Sequence, residues 1–308
     1  MGIGALPVLA LHVRPELQST SRAAAVAACG IAYLPVPLAL MCAGMLVGDP
    51  SRGRRVLWAG ALGGVLTAGY RRWRATGPGE VPAAADRDLT VVSANVLYGR
   101  GDVGDLRRLA RRADIIAIQE NTPTFDAALG ELIGADFPHR LGTSDDNAEG
   151  TMMWSRTPLT LVATGDTRYT SVVARTTVRG VAWTIANAHP APPPQGSRAW
   201  DQDAARLLDL VRPYADEHLV VVGDFNATEE HVTMRRFLAA GLRNAMAGWP
   251  RAATDGWQPS WPSGVRWLPP LIRIDHALHS ASVDAWRPSY VVLAGSDHKA
   301  LVADFRAR

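Results

Sequence analysis

The pattern of apolar and polar positions divides this chain into two unlike parts. Residues 23–48 carry no charged side chain, and Ala23-to-Val47 is long enough to cross a bilayer as a single helix. Pro35 and Pro37 would kink that helix without excluding it from a membrane. A second uncharged run, Val56–Tyr70, has Trp58 and Tyr70 near its ends, where interfacial anchors belong. Residues 1–13 are apolar but shorter. The organisation expected is therefore a membrane-anchor region over 1–74 with two helices, 23–47 and 56–70, then a Gly-, Pro- and Ala-rich linker over 75–87. A soluble domain follows over 88–308. A soluble helical hairpin with one buried face is the alternative for the first part.

In the second part the period changes. Leu89–Val96, Asp114–Gln119, Met152–Ser155, Val172–Val178, Val181–Ala188, Leu219–Gly223, Arg273–His279 and Tyr290–Leu293 are short apolar runs of strand length. Val103–Ala113 places Leu106, Leu109, Ala110 and Ala113 on one helical face, and Ala199–Arg212 does the same with Ala204, Leu207, Leu208 and Val211. Strands and helices are interleaved, which predicts a layered α/β sandwich.

Charge sharpens the division. Residues 1–87 hold nine Arg against four acids, whereas from Asp88 onward 23 basic residues face 25 acids. The soluble part lacks the cationic footprint of a nucleic-acid binder. Arg52, Arg54 and Arg55 lie between the two apolar runs, and Arg71, Arg72 and Arg74 follow the second, so the positive-inside rule gives contradictory orientations. Both cysteines, Cys29 and Cys42, lie in the first part, which leaves the soluble domain without thiolate ligands or disulfides.

Polar residues sit at the ends of the predicted strands. Asn95 closes the first and Glu120 follows Ile115–Gln119, where a buried unpaired acid would be costly unless a cation met it. His189 follows Trp183–Ala188. Leu219–Val222 runs into Gly223-Asp224-Phe225-Asn226, whose Asp-x-Asn spacing puts Asp224 and Asn226 on one side of an extended backbone. Asp275 interrupts Arg273–His276, and Ser296-Asp297-His298 precedes the last strand. Taken singly, each is an ordinary turn or loop residue.

In series they resemble the endonuclease/exonuclease/phosphatase superfamily over about residues 88–308, most specifically at Gly223–Asn226, Ser296–His298 and Ile118-Gln119-Glu120. The resemblance implies a four-layered α/β sandwich, two packed mixed sheets flanked by helices. It implies metal-dependent hydrolysis of a phosphate ester, with Glu120, Asn95 and Asp297 in the metal region and Mg²⁺, or Mn²⁺, as cofactor. It makes Asp224 and Asn226 the groups that orient water and phosphate. His298, oriented by Asp275, acts on the phosphate or as base, and His189 contacts the scissile phosphate. Glu149 is the matching candidate to orient His189.

Some bacterial members with helices ahead of the domain act outside the cytoplasm on lipid-linked phosphates such as undecaprenyl pyrophosphate. The expectation is therefore a cell-membrane enzyme with an extracytoplasmic catalytic domain and a phosphorylated, lipid-linked substrate. A tethered endonuclease, a decayed binding module and a zinc hydrolase are the rivals. Trp249, Trp257, Trp261 and Trp267 read as a loop pinned by aromatic packing, with an apolar substrate wall near Asp275 as the functional alternative.

Overall fold

The computed structural model describes residues 5–74, 87–246 and 258–308. The expected linker, apart from Arg87, lies outside the described residues, as do Trp249 and Trp257.

The soluble part is built on two six-stranded mixed sheets. The first contains β1 (Leu89–Asn95), β2 (Ile115–Gln119), β3 (His139–Thr143), β4 (Thr151–Ser155), β11 (Val283–Val292) and β12 (Lys299–Ala307), in the order β11-β12-β1-β2-β4-β3. The second contains β5 (Thr160–Gly165), β6 (Ser171–Val178), β7 (Val181–Ala188), β8 (Leu219–Asp224), β9 (Arg243–Asn244) and β10 (Asp275–His279), in the order β5-β6-β7-β8-β10-β9. Alternation along each strand explains the layers. Ile115, Ala117, Leu301, Ala303 and Phe305 point inward against Ile185, Val220, Val222 and Ala277 of the other sheet. Their neighbours Ile116, Ile118, Ala300 and Val302 point outward onto α5 (Val103–Ala110) and α6 (Pro123–Ile133). On the far side Ala186, Leu219, Val221 and Leu278 meet α7 (Ser197–Val211) and α8 (Val232–Ala239). This is the expected four-layered sandwich.

Several elements escaped the sequence reading, the two-residue β9 among them. Edge strands β3 and β5 are largely exposed and carry no apolar run. Helix α6 opens with Thr122, whose hydroxyl accepts the Phe125 N–H at 3.3 Å, and buries Phe125, Leu129 and Ile133 at spacings of four. Helix α8 draws its start from a distant segment. The final hairpin β11–β12 is also far longer than the expected Tyr290–Leu293.

The N-terminal part departs from the expected single helix over 23–47, kinked at Pro35 and Pro37: the chain breaks into separate helices there. Helix α2 (Arg22–Ala28) ends in a 3₁₀ turn over Cys29–Tyr33, and α3 (Pro35–Gly48) starts afresh at a bend of 65°. Pro35 has no N–H to continue the preceding turn, and it takes the first helical position, where none is needed. No single described helix is long and apolar enough to cross a membrane, although the bent pair passes by combined length and composition. The second helix, α4 (Arg52–Arg74), is longer than predicted because its flanking arginines are good helix formers. At 23 residues it measures about 34 Å and packs antiparallel along α3.

The first half of this region is docked on the sandwich. Gln18, in the turn between α1 (Ala5–Val13) and α2, is fully buried. Its amide nitrogen donates to Leu11 O at 3.1 Å and Glu230 O at 3.3 Å, and its oxygen accepts the Val232 N–H at 2.7 Å. A side chain 214 positions away thus satisfies an orphan donor in the first turn of α8. His231 completes the seam: Nδ1 accepts the Thr228 N–H at 2.7 Å while Nε2–H donates to Ala25 O at 2.8 Å. Ala25 itself belongs to the apolar cluster under α7 and α8.

Two outcomes follow. Replacing Gln18 by Leu strands buried backbone groups on both sides of the seam and is expected to cost about 1–3 kcal/mol in chemical denaturation, with residues 5–33 becoming sensitive to limited proteolysis. Burial lowers the His231 pKa from 6.5 to about 4, so the folded state binds this proton less readily than the unfolded chain. The resulting stability is complete above pH 6.5 and is lost as pH falls toward 4, roughly 3 kcal/mol in all. His231→Gln is expected to flatten the loss of melting temperature between pH 7.5 and 5.

Candidate active site

The site arises from strand direction. β1 and β2 run parallel in one sheet and β7 and β8 run parallel in the other, so four C-terminal ends meet at one rim of the sandwich. The antiparallel neighbours β12 and β10 begin at that same rim. Asn95, Glu120, His189, Asp224 and Asn226 therefore arrive from strand ends, and Asp275, Asp297 and His298 from strand starts. Gly223 is required here: its φ is +149°, and a Cβ would lie 1.9 Å from Ala188 O on the neighbouring strand.

Asp224 is the hub. Across the β8–β10 ladder its direct partner is Asp275, which sets two buried carboxylates side by side. His298 meets both. Its Nδ1 lies 3.0 Å from Asp275 Oδ2, and its Nε2 lies 3.7 Å from Asp224 Oδ2. Asn95 Nδ2 donates to Asp224 Oδ2 at 3.1 Å and to Glu120 Oε1 at 3.0 Å. The Asn226 N–H donates to Asp224 Oδ1 at 2.8 Å, and the Asn226 amide donates to Pro190 O at 3.0 Å. His189 Nε2 approaches Asp224 Oδ2 at 3.9 Å, with its ring against Tyr169 at 4.6 Å between centroids.

These surroundings set the charges. Burial, with Asp275 adding to it, pushes the Asp224 carboxyl up, while His298 pulls the other way. Burial alone would lower His298, but Asp275 and Asp224 together outweigh it and hold the imidazole well above its ordinary range. His189 has no such acid partner, and burial takes it down to about 3, with the charge of His298 acting in the same direction. The two histidines flanking Asp224 are therefore opposites, one cationic and one neutral. Burial raises Glu120, and the Asn95 amide and Tyr98 N–H offset part of that rise.

A cation fits beside this hub. Asp224, Asp275 and His298 each bring a donor atom within 4.8 Å of the others. Asp275 and His298 already satisfy one another, however, so the place left for an ion lies toward Asp297 and its neighbour Glu120. Asp297 Oδ2 accepts the Trp261 indole N–H at 3.0 Å, while its buried Oδ1 accepts no hydrogen bond and faces His298 Nε2 at 3.9 Å. Its charge also raises Glu120. Two neighbouring acids, one with a carboxylate oxygen that accepts no hydrogen bond, suit a hard divalent ion and oxygen coordination. Glu120 also sits at φ 56°, a backbone conformation in which a glutamate is unusual.

The structure thus gathers all eight sequence-predicted residues at one rim, with two adjustments. Asn95 presents its amide N–H₂ to the carboxylates because its oxygen accepts the Leu97 N–H at 2.9 Å. It joins Glu120 to Asp224 rather than offering its oxygen to a cation. Glu149 is exposed and does not orient His189, whose ring lies against Tyr169 and the Ala148 backbone instead.

Sequence reading missed the supports underneath. Gln119 Nε2 donates to Asn187 Oδ1 at 2.6 Å, and the Asn187 amide donates to Ile118 O and Met152 O, both at 3.1 Å. This buried bridge ties the two sheets together below the site. His276 Nε2–H donates to Ala227 O at 2.8 Å, clamping the Asp224–His231 loop from the side opposite His231. Only the polarity of positions 119 and 187 within apolar runs could have signalled these roles.

Comparison with known proteins places this geometry. No curated protein matches the chain. Among solved structures, an endonuclease/exonuclease/phosphatase from Beutenbergia cavernae aligns with a TM-score of 0.55 at 19% identity, over 72% of each chain. The 3'-5' exonuclease of Neisseria meningitidis aligns at 0.53 and 20% identity, over 70% of this chain and 99% of that one. Sphingomyelinase C from Streptomyces griseocarneus aligns at 0.51 and 16% identity, over 70% and 98% respectively. At such identities the likeness carries the fold. Residues 92–298 match the family described as Endonuclease/Exonuclease/phosphatase, and that span takes in Asn95, Glu120 and His298 together: the chain belongs to that family.

Proposed function

We propose that this protein is a membrane-held, divalent-metal-dependent phosphoester hydrolase, with Mg²⁺ as the working ion and a lipid-linked phosphate or pyrophosphate as substrate. The observation that carries the catalytic reading is the convergence on Asp224 of a cationic His298–Asp275 pair, a neutral His189 and an Asn95–Glu120 link, next to Asp297.

Glu120 and Asp297 would hold the ion. When bound, it would supply positive charge to a phosphate oxygen and to the leaving oxyanion. Asp224, fixed by the Asn226 N–H at one oxygen, directs the other into the site and takes the proton of the attacking water. Asp275 keeps the proton on His298 Nδ1, so that Nε2 faces the phosphoryl oxygens as a charge-assisted donor. Neutral His189 and the Asn226 carboxamide complete the polar contacts around the phosphate. Removing a correctly placed proton-transfer group typically costs ~10²–10⁴-fold.

Two features support a lipid-linked substrate over nucleic acid. The domain from Asp88 onward has 23 basic and 25 acidic residues. The α3–α4 pair also leaves large apolar side chains outward, Val36, Leu40, Val56 and Leu57 among them. An extracytoplasmic site on the cell membrane is part of the proposal, and protease accessibility of the domain in intact cells tests it.

Asp224→Asn and Asp275→Asn are each expected to lower Mg²⁺-dependent phosphate release by at least 100-fold, with the melting temperature held within a few degrees. Efficient nicking of duplex DNA, with no release from a lipid pyrophosphate, would overturn the substrate assignment. Glu120→Gln is expected to weaken Mn²⁺ binding, read by titration calorimetry, whereas His189→Gln leaves it unchanged. Equal binding in both variants would remove Glu120 from the ion site.

A further inference from the structure

One stretch of surface links the apolar N-terminal helices to the reaction centre. Tyr33 ends the 3₁₀ turn just before α3, and its hydroxyl donates to Leu271 O. The Leu271 N–H donates to Trp261 O at 2.9 Å, and Trp261 bridges Ile272 as a short antiparallel pair. The Trp261 indole then reaches Asp297 Oδ2 at 3.0 Å. These contacts form an unbroken line from the start of α3 to a carboxylate of the site.

The line is largely apolar and partly exposed to solvent. Tyr33 and Leu271 are each 41% exposed, Trp261 is 36% exposed, and Trp267 on the same segment is 81% exposed. The sequence reading of a loop pinned by aromatic packing is therefore not met at Trp267. Singly exposed apolar residues are ordinary on a protein surface. A connected series that continues into exposed Val36 and Leu40 of α3 is not, and it marks an interaction surface. Arg266, exposed beside Trp267, adds the cation that suits an anionic headgroup.

We propose that Tyr33, Leu271 and Trp267 form a bilayer-contacting ridge that seats the site mouth on the membrane and admits the phosphorylated head of an amphiphile at its Asp297 side. The proposal rests on the phosphoester-hydrolase reading for its substrate, but not for its membrane contact. The occupant is a lipid surface because the ridge is continuous with α3, a helix without a charged side chain on any face, and has Arg266 at its other end. The docked Gln18–His231 seam fixes the height of the ridge relative to Asp224, so it is a rigid part of the catalytic unit.

The test uses the full chain reconstituted in phosphatidylcholine/phosphatidylglycerol vesicles, comparing it with Trp267→Ala combined with Leu271→Ser. Neither side chain touches the catalytic groups, and the Leu271 carbonyl that holds Tyr33 is kept. Two substrates are compared with Mg²⁺: a long-chain prenyl pyrophosphate in the vesicles and bis(4-nitrophenyl) phosphate in solution. The expected result is a loss of 10-fold or more in kcat/KM on the vesicle substrate, carried mainly by KM, with the soluble ester changed less than two-fold. Brominated lipids are expected to quench tryptophan emission less in Trp267→Ala than in the unaltered chain. Equal losses on both substrates, or no loss on either, overturn the proposal. So does unchanged quenching, or self-association in vesicle-free detergent that vanishes in the double variant, which would make the ridge a protein interface. Should the unaltered chain hydrolyse neither substrate, the hydrolase reading fails, and the quenching comparison still decides the ridge.

Discussion

Two buried carboxylates opposed across one ladder set the terms for the rest of the site. Asp224 and Asp275 are register partners on β8 and β10. Side chains paired across an antiparallel ladder share a face, so their charges cannot be separated by rotating one away. Like charges held this way are tolerated only where positive charge or hydrogen-bond donors surround them. His298 from the other sheet supplies the first of these, and Asn95 and the Asn226 N–H supply the second. The two sheets are thus drawn together at this rim by electrostatic demand as well as by the apolar core below. Loss of His298 would leave both the chemistry and the closure of the rim uncompensated.

The same constraint explains why two histidines at similar distances from Asp224 differ in charge. His298 has a second acid, Asp275, on its other nitrogen. His189 has the Tyr169 ring and a buried setting. Their distances to Asp224 differ by only 0.2 Å, 3.7 against 3.9 Å. Geometry toward the shared partner therefore does not decide the protonation state; the group behind each ring does. A cationic imidazole on one flank of Asp224 and a neutral donor or acceptor on the other follow from that difference alone.

Much of this was legible in the sequence because it is local. Ile115 to Gln119 shows an apolar run ended by an acid, and Leu219 to Asn226 shows a strand opening into Asp-x-Asn. In each case the strand and the exposed end are written side by side. What remained hidden depends on partners far away. Gln18 reaches the α8 start across 214 positions of chain and His231 reaches Ala25 across 206, and nothing near either residue signals it. The pairing of Asp275 with Asp224 is equally non-local. Strands β3 and β5 were missed because an edge strand buries little and need not be apolar. The uncharged run over 23–47 was read as one helix because hydropathy reports composition, whereas Pro35 and the docking of Ala25 decide where the helix stops.

That docking bears on how an apolar appendage relates to a catalytic unit. A tether joined only by a linker would leave the distance between anchor and site to chain statistics. Here the N-terminal turn caps α8, and α8 follows directly from the loop that carries Asp224 and Asn226. His231 and His276 grip that loop from opposite sides, each as a neutral imidazole with one nitrogen donating and one accepting. Protonating His231 would set N–H against N–H at Thr228, and protonating His276 would do the same at Asn244. The loop is consequently held by contacts that require both imidazoles uncharged, only a few residues from an imidazole that requires the opposite. Burial that outweighs any nearby acid produces the first condition and burial between two acids produces the second, so one fold maintains both at a single pH.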